Sequence, residues 1–200
     1  VRVIGFHFIL SAYGFWLPND PRGSWSTVIR RYELLAFGGP TTVETTSSVA
    51  AVPHDHAARR TAKRALKYPP VRFDGRQARA IAQGFADACD ERGYAAHALA
   101  VLPDHAHVLT AWHPRHVDEI AAHLKAKATM RLNREGRHPM VGFPRTDGSL
   151  PSPWARNHWC PFIRSTGQMR TVIGYVQRNP LKAGLPAQRW NLVQQWHGGM

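Results

Sequence analysis

Two apolar runs, Tyr94 to Leu102 and His105 to Trp112, are separated only by Pro103-Asp104. A gap that short cannot hold a crossover connection, so the runs must pair antiparallel as a hairpin. Segments of helical period flank it. Before it, Asp74 and Gln77 stand at capping-box spacing, Ala78, Ile81, Phe85 and Ala88-Cys89 fall on one stripe, and Gly93 ends the helix. After it, Val117, Ile120, Ala121, Leu124, Ala128 and Leu132 face inward along a helix from about Val117 to Glu135, stopped at Gly136.

The flanks extend the pattern. Val3 to Tyr13 is rich in β-branched and aromatic residues and reads as a first, central strand, with His7 a core or edge histidine. Trp159 to Ile163 reads as a short fourth strand. Ser165 or Thr166 can cap a third helix from about Gly167 to Arg178, buried through Met169, Val172, Ile173 and Val176, with Pro180 and Gly184 marking its end or a kink. Strand, helix, strand, strand, helix, strand, helix is a split βαβ order. It predicts an α+β fold with a four- to five-stranded antiparallel sheet, helices on one face, and an extra C-terminal helix. Residues 1–185 form one domain on this reading. Segments 36–56 and 136–153 are flexible loops, and 186–200 is a tail with no placement.

Charge narrows the partners. Twenty-six Lys and Arg against 13 Asp and Glu give a formal +13, which favours a polyanion, nucleic acid first. No apolar run is long enough to span a membrane. The opening Val-Arg-Val-Ile-Gly reads as a strand and not as a signal peptide, and Cys89 and Cys160 imply no disulfide framework. A cytoplasmic, nucleoid-associated protein is expected. Arg60, Lys63, Arg64 and Lys67 form a basic stripe before Pro69-Pro70, and Lys125, Lys127, Arg131 and Arg134 make a second one; either is a solvated face or a phosphate-facing one. The turn-rich loop 14–25 carries Trp16, Arg22 and Trp25, which can stack on bases and hold a phosphate or pin the loop to the body.

Chemistry concentrates at Leu102-Pro-Asp-His-Ala-His-Val-Leu109. On a strand, His105 and His107 point to the same face and make half a metal site, or a polar pair on a solvated sheet. The second His-x-His, His54 and His56, lies in a loop and reads as surface histidines. On the third helix, Tyr175 and Asn179 stand at i and i+4. A tyrosine there is a possible nucleophile and an asparagine carbonyl a possible ligand for a hard cation.

Residues 102–109 resemble the histidine–hydrophobic–histidine (HUH) motif of the single-tyrosine transposases. Gly174-Tyr-Val-Gln-Arg-Asn-Pro-Leu-Lys-Ala-Gly-Leu185 resembles the tyrosine motif of their REP-associated branch, and Trp154-Ala-Arg-Asn-His-Trp-Cys-Pro-Phe-Ile-Arg164 the segment before it. Order and spacing of the three agree, and the resemblance covers about residues 78–185 plus the first strand. Ala106 is smaller than the usual middle residue, Cys160 stands where many relatives have an acid, and the loop around 36–56 has no counterpart. The resemblance implies a ferredoxin-like core and a divalent metal, Mg²⁺ or Mn²⁺, on His105, His107 and Asn179. It implies Tyr175 as nucleophile, nicking and rejoining single-stranded, hairpin-bearing DNA through a 5′-phosphotyrosine link, in a monomer or homodimer. Arg22, Arg60, Lys63, Arg64, Lys67, Lys125, Arg131 and Arg178 are the expected DNA contacts. The rival readings are a domesticated structured-DNA-binding protein with little cleavage and, less well matched, a replication or relaxase-type nuclease.

Overall fold

The structure, a computed structural model, describes residues 2–45 and 48–198; residues 46–47 of the first expected loop and 199–200 of the tail lie outside it. In chain order the elements are β1 (Gly5–Ser11), α1 (Tyr32–Leu35), α2 (His56–Arg64), α3 (Gly75–Arg92), β2 (Ala96–Val101), β3 (His105–Ala111), α4 (Val117–Arg134), β4 (Phe162–Ile163) and α5 (Thr166–Lys182). The strands form one antiparallel sheet in the order β2-β3-β1-β4. With α3 and α4 as the two crossovers, that is the ferredoxin-like arrangement. Strand β1 is central, although two residues shorter at each end than the sequence suggests.

Alternation along β1 divides the sheet into two faces. Phe6, Phe8 and Leu10 point into the main core with Ile81, Phe85, Ile120, Leu124 and Leu132 of α3 and α4. These two helices cross closely at Gly84, where a Cβ would stand 2.5 Å from Ala128 Cα, so no larger residue fits without moving backbone. The capping box of Asp74 and Gln77 forms, and Gly93 ends α3 at φ 70°. An irregularity between Ala96 and Ala98 turns β2 over. Ala96, Leu99 and Val101 consequently face α3 and α4, while Ala98 and Ala100 face the opposite side.

That opposite side is covered by α5, which packs Met169 and Val176 on Ala98, Ala100, Leu109 and Ile163. Ser165 caps α5 by accepting from Gln168 N–H. The helix runs past Arg178 and through Pro180 to Lys182, and Gly184 at φ 71° closes it, with Leu185 N–H donating to Pro180 O at 2.9 Å.

Two segments hold more structure than their composition shows. The tail follows the outer edge of β2: Gln188 brackets the Val101 backbone, Val193 pairs parallel with Ala96, and Gln194 N–H donates to Ala96 O at 2.8 Å. It thus covers an edge that would otherwise expose unpaired backbone groups. Loop 14–45 folds over α2 through Leu17, Leu34 and Ala62 and carries a parallel bridge between Ser24 and Thr42. Cys89 and Cys160 are both free. Among the described residues no helix is long and apolar enough to cross a membrane.

Candidate active site

His105 and His107 lie on the α5 side of β3, as period-two geometry requires, with their Nε2 atoms 3.1 Å apart. Each ring is held from behind. His105 Nδ1 meets Asp104 Oδ1 at 2.7 Å, and Phe15 stacks on the ring at 4.8 Å. His107 Nδ1 meets His7 Nε2 at 3.0 Å, with those two rings stacked at 5.1 Å. His7 and His107 are 6% and 4% exposed. Burial, with a nearby charge on His105 adding to it, pushes His7 down to about 4 and His107 well below the usual imidazole range. Both are therefore neutral at pH 7. Burial would raise the Asp104 carboxyl, but the hydrogen bond and charge of His105, with Arg72 and Lys63 beyond, hold it below its ordinary value.

A charged His105 satisfies these contacts by donating to Asp104 and, through Nε2, to His107, which then donates to His7. With all three rings neutral, two proton arrangements remain. In one, His7 donates to His107, His107 to His105, and His105 to Asp104. In the other, His105 and His107 carry their protons on Nδ1 and turn two bare Nε2 lone pairs toward one point. The second arrangement needs a cation there.

Helix α5 brings Tyr175 to the same point. Its ring meets His107 edge-on at 5.5 Å and His7 at 6.2 Å, and it is 38% exposed. Asn179, one turn later, and Lys182, two turns later, line the same cleft, which encloses about 910 Å³; the Lys182 ammonium lies 5.7 Å from the Tyr175 ring. Asn179 Nδ2 is buried without a hydrogen-bond partner. Rotating that amide places Oδ1 there instead.

The spacing of these groups suits a divalent cation, although an imidazole pair alone is softer than Mg²⁺ prefers, so oxygen ligands are needed as well. Two nitrogens bound to one ion at about 2.1 Å and cis to each other stand about 3 Å apart, as the Nε2 atoms do. Among the described residues no three His, Cys, Asp or Glu converge as a ready metal site. The groups that could hold an ion there are the two imidazoles and the Asn179 amide oxygen, and an ion would need phosphate and water to complete its shell.

Sequence reasoning did not join His7 to this site. The signal was available: Phe6, Phe8 and Leu10 set the core face, so His7, Ile9 and Ser11 take the other. Lys182 was also missed, though it continues the Tyr175–Asn179 face by i+7 spacing.

The expected DNA contacts divide into two groups. Arg60, Arg64, Lys67 and Arg178 are exposed and, among the described residues, make no ion pair. The others are engaged inside the protein. Arg22 is buried, bound to Asp20 at 2.8 Å and lying over Trp16 at 3.7 Å, and so pins its loop. Lys125 gives its ammonium to the carbonyls of Ala155, Arg156 and Asn157 at 2.9–3.1 Å, and burial pushes it down to about 8. Arg131 pairs with Glu135 at 2.7 Å and Asp87 at 3.7 Å. Lys63 is half-buried near Phe15, and burial, with Arg59 beside it, pushes it down to about 8. The basic side of α4 is thus largely neutralised or structural, Lys127 pairing with Glu91 as well.

No family model matches the chain, and no curated protein matches it. Among solved structures it is similar to a REP-associated tyrosine transposase bound to a REP hairpin, at 14% identity over 93% of this chain and 72% of that one, with a TM-score of 0.48. It is also similar to a putative transposase from Deinococcus radiodurans R1, at 14% identity over 94% and 95% of the two chains, with a TM-score of 0.42. Likenesses of that size leave the assignment to the chemistry of the cleft.

Proposed function

We propose that this chain is a divalent-metal-dependent transposase-type enzyme that nicks and rejoins single-stranded, hairpin-bearing DNA through Tyr175. One observation carries the reading: the exposed Tyr175 ring stands against the converging His105–His107 pair, with Asn179 one turn behind it. His105, His107 and Asn179 would hold Mg²⁺ or Mn²⁺, which when bound polarises the scissile phosphate as a Lewis acid.

The chain's own groups do the rest. Asp104 and His7 fix the two ligating rings through their Nδ1 atoms, leaving Nε2 free to ligate. Tyr175 attacks phosphorus. Its Oη–P bond forms, the P–O3′ bond breaks, and the phenol proton ends on the departing 3′-oxygen. The product is a 5′-phosphotyrosine with a free 3′-hydroxyl, and because the phosphodiester energy is kept, a 3′-hydroxyl can reverse the step without ATP. Lys182, beside Tyr175, offers a cation to the phosphate as negative charge builds on it. The open cleft admits a flexible single strand, and the free basic groups Arg60, Arg64, Lys67 and Arg178 suit its backbone.

The test is incubation with an end-labelled, hairpin-bearing single-stranded DNA and Mg²⁺ or Mn²⁺, followed by denaturing electrophoresis. A covalent protein–DNA adduct is expected from the parent and none from Tyr175→Phe. An adduct formed equally well by Tyr175→Phe removes Tyr175 as nucleophile. Tight metal-free binding with no adduct on any hairpin favours a binding protein instead.

A further inference from the structure

Trp25 and Trp159 stack face to face along the cleft that holds His105, His107 and Tyr175, with ring centroids 4.7 Å apart and planes 14° apart. The sheet sets the position of Trp159. Ile9 exchanges two backbone hydrogen bonds with Trp159, at 2.8 and 3.2 Å, and pairs on its other side with His107, which pairs in turn with Ala100. Directly opposed residues of antiparallel strands point to one face, so Ala100, His107, Ile9 and Trp159 make a row across the sheet. Two strand spacings place the Trp159 backbone about 10 Å from that of His107. A nucleotide next to a phosphate held at His107 and Tyr175 spans that gap.

Trp25 reaches Trp159 from the loop carrying the Ser24–Thr42 bridge, and its Nε1–H donates to Thr45 O at 2.9 Å. Anchoring the loop accounts for that bond and for the face turned to Trp159. It does not use the 37% of Trp25 left exposed, which is surface open to a ligand. Nor does it account for the polar groups around it. Ser24, Ser26 and Asn157 line the cleft beside the stack, with Asn157 Nδ2 3.4 Å from Ser26 Oγ. A flat aromatic surface rimmed by hydroxyl and amide groups, in a cleft also lined by Arg156 and Lys182, is the chemistry that holds an unpaired base: stacking on its π-face and hydrogen bonds to its edge.

We propose that the Trp25–Trp159 stack is a nucleobase-binding subsite, taking an unpaired base adjacent to the phosphate presented to Tyr175. The proposal rests on the reading of the cleft as a single-strand-cleaving site and adds to it the place where the flanking base is held.

The test is fluorescence anisotropy in EDTA, where no cutting occurs, with a labelled DNA stem-loop bearing a mixed-sequence single-stranded extension. Abasic sites are placed one at a time along the extension, for the parent, Trp25→Phe and Trp25→Leu. In the parent, one or two abasic positions should weaken binding about tenfold, the size expected of one base–aromatic stack. Trp25→Leu should weaken the intact DNA comparably and lose its sensitivity to those positions, while Trp25→Phe keeps most of both. Thermal melting identifies any variant that has merely unfolded, and the abasic scan on the parent needs no variant. Abasic penalties that are absent in the parent, or that persist unchanged in folded Trp25→Leu, overturn the subsite. An adduct through Tyr175 without base coupling removes the subsite alone. Base coupling without any adduct keeps the subsite and removes the catalytic reading.

Discussion

Asp104→Asn probes how far the histidine pair depends on what stands behind it. The carboxylate accepts from His105 Nδ1 at 2.7 Å, a charge-assisted geometry, and fixes that ring with Nε2 directed at His107. Hydrogen bonds to charged groups contribute about 1.5–3 kcal/mol net and neutral ones about 0.5–1.5. Asparagine keeps the shape and an acceptor oxygen but not the charge, so the loss is about 1–1.5 kcal/mol. At 1.4 kcal/mol per tenfold, the Mn²⁺ Kd should rise roughly five- to tenfold, the lower end of what removing a partner behind a metal-bound histidine costs. Electron paramagnetic resonance of free Mn²⁺ reads this without any DNA. Binding of the DNA stem-loop in EDTA should not change, because Asp104 acts on the ion through His105. An unchanged Mn²⁺ Kd in a folded Asp104→Asn protein would refute the reasoning, and would mean that His105 and His107 face each other for a proton and not for a metal.

Three other outcomes follow from groups away from the ion. Asp20 is fully buried between Arg22 and Arg59, 2.8 and 2.9 Å away; burial would raise its carboxyl, but the two guanidinium groups outweigh that and hold it below its ordinary value. A depressed folded-state pKa contributes stability that is complete above the unfolded value, about 3.9, and is lost as pH falls through the folded one. Melting temperature should drop steeply below about pH 4, and Asp20→Asn should cost about 3–5 kcal/mol at pH 7 by leaving Arg22 buried and unpaired; a melting curve the same as the parent's at pH 7 would contradict this. Lys125→Met should lower stability by about 2–3 kcal/mol in denaturant unfolding, since three carbonyls lose their donor, and a neutral effect would show that water satisfies them. With Arg22, Lys63, Lys125 and Arg131 engaged inside the protein, the four remaining contacts and Lys182 give a log–log salt slope for single-stranded DNA of about −3.5; a slope of about −6 would return those groups to the interface.

What the sequence disclosed, it disclosed through local order. The Pro103-Asp104 turn, the capping box at Asp74 and the inward stripes of α3 and α4 each repeat one signal several times, and each formed where expected. The alternation that puts His105 beside His107 is likewise local. Long-range partners left no such trace. His7 meets His107 across 100 residues because β1 happens to pair with β3 in that register. The tail reaches β2 through one glutamine and a short backbone bridge, neither of which has a period. Charge misled for the same reason: Arg22, Lys125 and Arg131 look free in a list of residues, and their acceptors are fixed only by the fold.

Tyr175 stands over His107 of its own polypeptide, and Asn179 follows one turn later on the same helix. Every group proposed to act is thus supplied by one chain, which has a consequence for genetic complementation. Two inactive chains, one carrying Tyr175→Phe and the other His107→Ala, should not restore strand cutting when mixed, at any ratio, because neither lends its intact half to the other. Cutting per mole of parent protein should likewise be unaffected by dilution once DNA is saturating. Restored activity in the mixture would require α5 to leave its own sheet and dock on a neighbour's.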